Sequence, residues 1–381
     1  MQCLLQTGVD SLAMRLQTHR PTYLLAFLML SASCETVGTA PGPEQWTLVE
    51  NVVIGSIDGS NNRPVFGLVS AVVPDANGGA IVADVQVPVV LQFSVDGRFV
   101  RQLGRKGGGP GEYMDVSGVA SLDSGRVLIR DPRGGLMLFG RDGELVREYP
   151  VHVDYVGDDP LTVVDGVVFL RYPQRQPLNK LWESPTYGFV RVSLTGEVLD
   201  SITPAQPHDG GLYWSPYQPR YHLQWLGDGS MVVGAGSQFQ IKVVSPQGDT
   251  VGRIDEEWAR IPLPDTARRE IANHLAWLKR RGNRTVPNYP DPPTYLPAFD
   301  RIMVSSNDDL VVLRTVGADQ GGFQRVGDVY SRAGEHLGHF DVPRTSEIMS
   351  VVDDSRMWGV RTGTYGEQYV VRWSVVHRGR Q

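Results

Sequence analysis

Short apolar runs alternate with turns rich in glycine, aspartate and asparagine along most of the chain. Six times, a two-residue turn precedes an apolar run, as in the run of residues 80–84. The six turns are Asn77-Gly78, Ser124-Gly125, Asp165-Gly166, Asp228-Gly229, Asp308-Asp309 and Asp354-Ser355. Turns of this kind tolerate positive φ and match the twist of paired strands, so each copy predicts a β-hairpin.

A second predicted hairpin follows each of the first five copies. Its turns are Asp96-Gly97, Asp142-Gly143, Thr195-Gly196, Gln247-Gly248 and Ala333-Gly334. Two hairpins in a repeat of about 45 residues make up one four-stranded blade of a β-propeller. The pattern therefore predicts an all-β fold, a six-bladed β-propeller over residues 46–378.

The sixth repeat lacks a final strand, because the chain ends soon after the apolar run 368–376. The run 46–54, which precedes the first repeat, has the pattern of an outer strand. We expect the N-terminal strand to complete the sixth blade and close the ring, which removes exposed edges.

One segment, residues 265–281, has helical rather than strand periodicity. Asp265 is the expected N-cap, and Gly282 follows as a stop. Its apolar positions recur at helical spacing and are Ala267, Ile271, Leu275 and Leu278. The helix lies in an insertion, 255–297, before blade five. We favour packing of this helix on its own propeller; the alternative is a docking helix for a partner.

The longer predicted connections all belong to one face of the propeller. In a blade whose strands run outward as a, b, c and d, the a–b and c–d turns share one face, and all of these are short here. The longer segments fall on the opposite face and are 105–117, 172–187, 203–221, 255–297, 316–325 and 362–367. Because loops on either face tolerate insertion, growth on one side predicts that this face, the elaborated face, binds the ligand.

The glycine-rich segment 104–113 lacks the lysine and serine or threonine of a phosphate loop, and no helix follows it. It is better explained as a sharp crossing between blades. Its motif consists of Gly107, Gly109, Pro110, Gly111, Glu112 and Tyr113. The motif and the strands after it resemble the blade of NHL-type propellers, and more closely a family of six-bladed bacterial propeller lipoproteins. The resemblance is sharpest over 96–143 and extends loosely over 46–376.

The resemblance implies the fold but no general activity. NHL-type propellers include protein-binding modules and a metal-dependent lyase, which needs several histidine ligands. The seven histidines after the N-terminal segment form no convincing ligand set, and the Asp308-Asp309 and Asp353-Asp354 pairs occupy hairpin turns. Nucleophile-elbow and zinc-protease motifs are absent from the sequence. We therefore predict no catalytic residue, no metal site and no cofactor.

Four arginines occupy similar positions near the ends of predicted b strands, toward the elaborated face: Arg130, Arg171, Arg314 and Arg361. We favour ion pairs between blades as their role, since arginine readily forms bidentate pairs with carboxylates. The alternative is a cationic throat for an anionic ligand such as a carboxylated sugar, a phosphate or an acidic peptide.

Aromatic residues are frequent in the segments predicted to build the elaborated face. The strongest candidates are Trp182, Tyr213, Trp214 and Tyr221, with Tyr172, Tyr187, Tyr217 and Trp225 nearby in sequence. They form either a stacking platform for sugars and peptides or hydrophobic plugs over the core. The sequence alone favours neither interpretation.

The first 33 residues have the pattern of a signal peptide. Arg15, His19 and Arg20 precede the apolar run 23–30, which is too short to span a bilayer. Small residues then lead to Cys34, as in a bacterial lipobox, although Ser31 stands where leucine is usual. We predict lipid attachment at Cys34, with ordinary cleavage nearby as the alternative, and a flexible tether over 34–45.

Together these features predict an exported protein of the bacterial cell envelope (periplasm or outer membrane) that contacts the membrane through its anchor only. The net charge of −6 argues against nucleic acid as a partner. We expect a monomeric binding or scaffold protein that recognises a peptide, a glycan or an envelope protein. The alternatives are a hydrolase or lyase with an axial, metal-dependent site, and a structural module of a larger envelope complex.

Overall fold

The computed structural model describes residues 44–60, 63–122, 124–151, 161–173, 187–203, 217, 219–280, 293–319 and 322–377. The first strands are β1 (Glu44–Ile54), β2 (Val69–Pro74), β3 (Ala80–Asp84), β4 (Val89–Phe93), β5 (Phe99–Gln102), β6 (Arg105–Lys106) and β7 (Glu112–Tyr113). The next are β8 (Gly118–Ser121), β9 (Val127–Asp131), β10 (Gly135–Phe139), β11 (Leu145–Tyr149), β12 (Thr162–Val164), β13 (Val167–Pro173), β14 (Tyr187–Ser193) and β15 (Val198–Ile202). The last elements are β16 (Tyr221–Trp225), β17 (Met231–Ala235), β18 (Gln240–Val244), β19 (Thr250–Asp255), α1 (Asp265–Arg280), β20 (Arg301–Val304), β21 (Leu310–Asp319), β22 (Gly322–Tyr330), β23 (His336–Asp341), β24 (Ser346–Asp353), β25 (Arg356–Thr362) and β26 (Gln368–His377).

The fold is all-β with one helix and has a propeller-like arrangement. Four sheets each consist of four strands that neighbour one another in chain order, β2–β5, β8–β11, β12–β15 and β16–β19. A fifth sheet has eight strands in the order β20-β21-β22-β23-β1-β26-β25-β24, and β6 and β7 form a short parallel pair. The first strands of the groups contact one another, since β2 touches β8 and β24, and β20 touches β16 and β24.

Strand β1 joins the two halves of the eight-stranded sheet. It pairs antiparallel with β26 from Trp46, opposite His377, to Ile54, opposite Val370. Its parallel pairing with β23 covers only residues 44–46. The N-terminal strand therefore stands in the fourth position beside β24, β25 and β26, which is the pairing predicted from the sequence.

Apolar cores lie between successive groups of strands. Strands β3 and β9 are buried at every residue, because both of their faces meet a neighbouring sheet. This explains why their sequences are almost continuously apolar rather than alternating. Five clusters each combine two groups, and one of them packs Trp358 and Val370 of the last group against Val82 of the first.

The contact between the third and fourth groups is aromatic. The ring centroid of Trp225 on β16 lies 4.1 Å from that of Phe169 on β13 and 5.9 Å from that of Phe189 on β14. Apolar or aromatic packing thus links each group to the next around the described part of the chain.

The turns on one face are as short as predicted. The turns between first and second strands, and between third and fourth strands, have at most five residues, as in the turn 75–79. The long connections include 103–117 and 256–300, and both join a fourth strand to the next first strand. Residues 281–292 of the second one lie outside the described ranges. Two other predicted long segments, 172–187 and 203–221, lie largely outside the described residues.

Two of the predicted long connections are wrong. Residues 316–325 are not a loop, because β21 and β22 continue as a hairpin in which Thr315 pairs with Arg325 and Ala318 with Phe323. The segment 362–367 is a short turn between β25 and β26. In both places polar residues continue or closely flank paired strands, which the alternation of apolar residues does not reveal.

Helix α1 packs on its own chain. Ala267 and Ile271 are buried against Leu263 and Leu296, and Phe323 packs against the same cluster. These contacts agree with the favoured interpretation of the helix. No helix within the described ranges is long and apolar enough to cross a membrane.

The glycine-rich crossing 104–113 is closed by its own side chains. The Glu112 carboxylate accepts hydrogen bonds from the Gly109 N–H at 2.9 Å and from Arg105 Nε at 2.6 Å. The buried Tyr113 hydroxyl donates to the Leu103 carbonyl and accepts from the Val90 N–H, each at 2.9 Å. Burial raises the pKa of Tyr113 to about 12, so the hydroxyl stays protonated. The segment therefore fixes the passage between two sheets.

We predict that Tyr113→Phe destabilises the protein, whereas the exposed Tyr365→Phe does not. The first substitution leaves a buried N–H and a buried carbonyl without their partner, at a cost of about 1–3 kcal/mol. Denaturant unfolding of both variants measures the difference. Equal free energies of unfolding for the two variants would contradict this role of the hydroxyl.

Candidate functional site

The structure describes some of the residues that the sequence singled out. Cys34, Trp182, Tyr213 and Trp214 lie outside the described residues, and Tyr221 begins β16. The four arginines lie on second strands, β9, β13, β21 and β25. Arg130 is buried, with 2% of its surface exposed.

Arg314 and Arg361 form ion pairs within a sheet rather than between blades as expected. Arg314 Nε donates to the carboxylate of Asp328 on the adjacent strand β22. Arg361 Nε lies 3.3 Å from Glu50 Oε2 of β1, and its guanidinium lies 4.9 Å from the Tyr369 ring centroid. Each has a carboxylate partner, so these contacts support structural roles.

Asp328 is the centre of a polar network between the fourth and fifth groups of strands. His336 Nε2 lies 3.4 Å from Asp328 Oδ1, and the His336 ring stacks on Tyr330 with centroids 4.7 Å apart. The Tyr330 hydroxyl donates to Glu256 Oε1 at 2.9 Å. Burial alone would raise the pKa of Asp328, but the close His336 imidazole and the hydrogen bond from Arg314 hold it below its ordinary value.

The same network raises the pKa of His336. Its close contact with the Asp328 carboxylate favours the imidazolium and outweighs the opposing effect of burial. A histidine whose pKa is raised in the folded state stabilises the fold at pH values below its ordinary pKa. That stabilisation is lost as the pH rises through the raised value.

We therefore predict that His336→Gln destabilises the protein more at about pH 6 than at about pH 8. The measurement is the free energy of unfolding of wild type and variant at both pH values. The neighbouring His339→Gln is the control, since the Asp328 contact belongs to His336. A loss for His336→Gln that is the same at both pH values would refute the prediction.

A second charged group lies where innermost strands begin on the elaborated face. Arg220 directly precedes β16, His222 is the second residue of that strand, and Arg301 is the first residue of β20. Burial and the positive charges of Arg220, Arg301 and Arg171 lower the pKa of His222 to about 3. We name Arg171, Arg220, His222 and Arg301 the Arg–His cluster. Its imidazole is neutral at physiological pH.

Neighbouring inner strands hold this cluster in place. Arg301 Nη2 donates to Glu347 Oε1 at 2.6 Å and Nη1 to the Ile348 carbonyl at 3.1 Å, both on β24. The ring of Phe299 lies 5.2 Å from that of His222, centroid to centroid. These contacts orient Arg301 and His222 before any ligand binds.

A separate pair lies next to the cluster. Arg325 Nη2 donates to Asp300 Oδ2 at 2.9 Å. Burial raises the pKa of Asp300, although Arg325 opposes this. Arg325 is the hydrogen-bonded partner of Asp300, and the Asp300 carboxylate also interacts electrostatically with Arg301 of the Arg–His cluster.

The Arg–His cluster places three guanidinium groups around one neutral imidazole. Among the described residues, Arg301 of this cluster forms an ion pair with Glu347. In the part of the chain that the structure describes, no carboxylate pairs with the exposed Arg220. There too, His222 Nε2 is buried and has no hydrogen-bond partner. This arrangement is suited to an anionic group.

Alignment of the second strands detected Arg171 but not the rest of the cluster. Arg220 and Arg301 stand at the junction between a long connection and a first strand, and His222 follows two residues later. A comparison of the first strands would have found them, because these strands surround the centre of a propeller.

The acidic turns have arginine partners. Arg332 Nη1 lies 3.4 Å from Asp308 Oδ2, and Arg356 Nε donates to Asp353 Oδ2 at 3.1 Å. Within the described ranges, no three His, Cys, Asp or Glu side chains are grouped so that they could hold a metal ion.

Comparison with known proteins identifies the fold and no family. No protein-family model and no curated protein matches the sequence. Among solved structures, a predicted exported protein of Bacteroides fragilis is similar, with a TM-score of 0.52, 14% identity and coverage of 87% of this chain and 95% of that one. A member of the DUF4221 family from Bacteroides vulgatus is similar, with a TM-score of 0.53, 12% identity and coverage of 88% and 99%.

A streptogramin B lyase aligns more weakly, with a TM-score of 0.42, 10% identity and coverage of 87% of this chain and 98% of that one. The two stronger matches show a common fold. The resemblance to NHL-type propellers is not confirmed by any of the comparisons.

Proposed function

We propose that this protein is an exported, six-bladed β-propeller that binds a peptide, a glycan or a partner protein of the cell envelope on its elaborated face. Six groups of four strands support the blade count, if β1 is counted with β24, β25 and β26. The packing that joins the last group to the first supports a closed ring.

The observation that carries the proposal is the difference between the two ends of the blades. One face consists of turns of at most five residues, such as 75–79, whereas the other has connections as long as 103–117 and 256–300. On the elaborated face the extra length lies in the passages from a fourth strand to the next first strand, since connections between second and third strands there, such as 85–88 and 236–239, are short. The innermost strands also begin on the elaborated face, and there they present the Arg–His cluster.

Export is supported by the signal-peptide pattern of residues 1–33 and by the fold that the chain shares with a predicted exported protein. Lipid attachment at Cys34 with a tether over 34–45 belongs to the same proposal. In this arrangement the propeller contacts the membrane through its anchor only.

The experiment is site-specific photo-crosslinking in cells that express the full chain. A photoreactive phenylalanine replaces Tyr365, which is 85% exposed and lies in the turn between β25 and β26 on the elaborated face. The matched position is Asp249, in the short turn between β18 and β19 on the opposite face. We expect adducts from position 365 and none from position 249.

Adducts only from position 249 would contradict the proposal. Turnover of a bound molecule without a stable adduct would instead support the alternative of a hydrolase or lyase. Equal expression and equal melting temperatures of the two labelled proteins serve as the control for folding.

A further inference from the structure

We propose that the Arg–His cluster binds one oxyanion group, a phosphate or a carboxylate, of the ligand. This inference rests on the proposed function and specifies the chemistry of its recognition site. The site lies at the mouth of the ring on the elaborated face, where β16, β20 and β24 begin. The alignment of the b strands predicted a cationic throat of Arg130, Arg171, Arg314 and Arg361. The Arg–His cluster has only Arg171 in common with that set.

Two of the guanidinium groups are able to donate hydrogen bonds to an anion. Arg301 uses two of its N–H groups toward Glu347 and Ile348, and a guanidinium has about five such donors. Its remaining donors are already oriented by those two bonds. Arg220 is exposed, and in the ranges that the structure covers no carboxylate pairs with it.

His222 adds a neutral donor to these charges. An imidazole carries one N–H when neutral, and its Nε2 is buried without a partner among the described residues. A proton on Nε2 would let the ring donate to a bound oxygen. A buried polar group without a partner costs stability, and an anion removes that cost.

The size of the cluster limits the ligand to one anionic group. Recognition of a polyanion such as nucleic acid needs a basic surface that follows many phosphates, whereas the chain as a whole has a net charge of −6. Arg220 and Arg301 beside one histidine match a single phosphate or carboxylate, as on a phosphorylated molecule, an acidic sugar or an acidic peptide. A cationic ligand would be repelled by the same charges.

The test is a calorimetric titration of the protein without its signal segment, with inorganic phosphate and D-glucuronate as separate probes. Wild type is compared with Arg220→Gln and Arg301→Gln. Arg133→Gln is the matched control, because Arg133 is exposed and lies between β9 and β10 on the same face but in another group of strands. Loss of a charged hydrogen bond should weaken binding at least about tenfold in the first two variants only.

The two probes distinguish the two sources of an oxyanion. Tighter binding of phosphate points to a phosphorylated ligand, and tighter binding of glucuronate to an acidic sugar or peptide; either result supports the site. Absence of binding by both probes to wild type overturns the proposal. So does binding by Arg220→Gln that equals binding by Arg133→Gln.

A spectroscopic signal makes the test independent of folding defects. A bound anion favours the imidazolium, so the pKa of His222 should rise on addition of phosphate, as followed by NMR of its ring protons. In Arg220→Gln, addition of phosphate should leave the pKa of His222 unchanged. The exposed Arg220 side chain contributes little to packing, so this variant should fold. A His222 signal that phosphate does not alter in wild type contradicts the proposal.

Failure here is distinguishable from failure of the proposed function. Crosslinks from position 365 without anion binding would refute the oxyanion site alone. Anion binding without those crosslinks would refute recognition of a larger ligand on this face and leave the site intact.

Discussion

Packing between neighbouring sheets is the interaction on which the rest of this structure depends. The second strands β3 and β9 have a sheet on both sides and are therefore buried along their whole length. In such an arrangement every apolar sheet face is covered only when the last group of strands packs against the first. Strand β1 contributes to that contact, because Val52 and Ile54 belong to the cluster that contains Trp358 and Val370. Without β1, strand β26 would have an open edge and part of this cluster would face water.

Packing between neighbouring sheets also makes the two faces of the molecule different. On one face the short turns are interlocked, as where Arg332 reaches Asp228 and Asp308 in the turns of two neighbouring groups. Longer connections there would break such contacts. On the other face the chain has room to grow, and all first strands begin there. Residues far apart in sequence, Arg220, Arg301 and Glu347, are brought together for this reason.

Local features of the fold could be predicted from the sequence, because they depend on a few neighbouring residues. The turn glycines Gly97, Gly143 and Gly334 all adopt positive φ, and the helix begins at Asp265 as expected. The pairing of β1 with β26 could also be predicted, because the sixth repeat lacks a final strand and the run 46–54 before the first repeat has the pattern of one. The hairpin at 316–325 was missed because its strands extend beyond the apolar run.

The partners of charged residues could not be predicted in the same way. The sequence places Arg314 and Arg361 on similar strands but does not tell which carboxylate lies beside each of them. Asp328 and Glu50 come from different strands of the same sheet, and only the register brings them close. The Arg–His cluster combines Arg171 of β13 with residues at the starts of β16 and β20, so no pattern within a single strand marks it.

Closure of the ring by β1 is the central claim, and native-state hydrogen exchange tests it most directly. The account predicts that the β1 amides bonded to β26, around Val53 and Ile54, exchange only through global unfolding, at the same free energy as the amides of Val370 and Val371. Exchange of the β1 amides through a much smaller opening free energy, with β26 still protected, would contradict it. The mouth that carries the Arg–His cluster would then belong to an open ring.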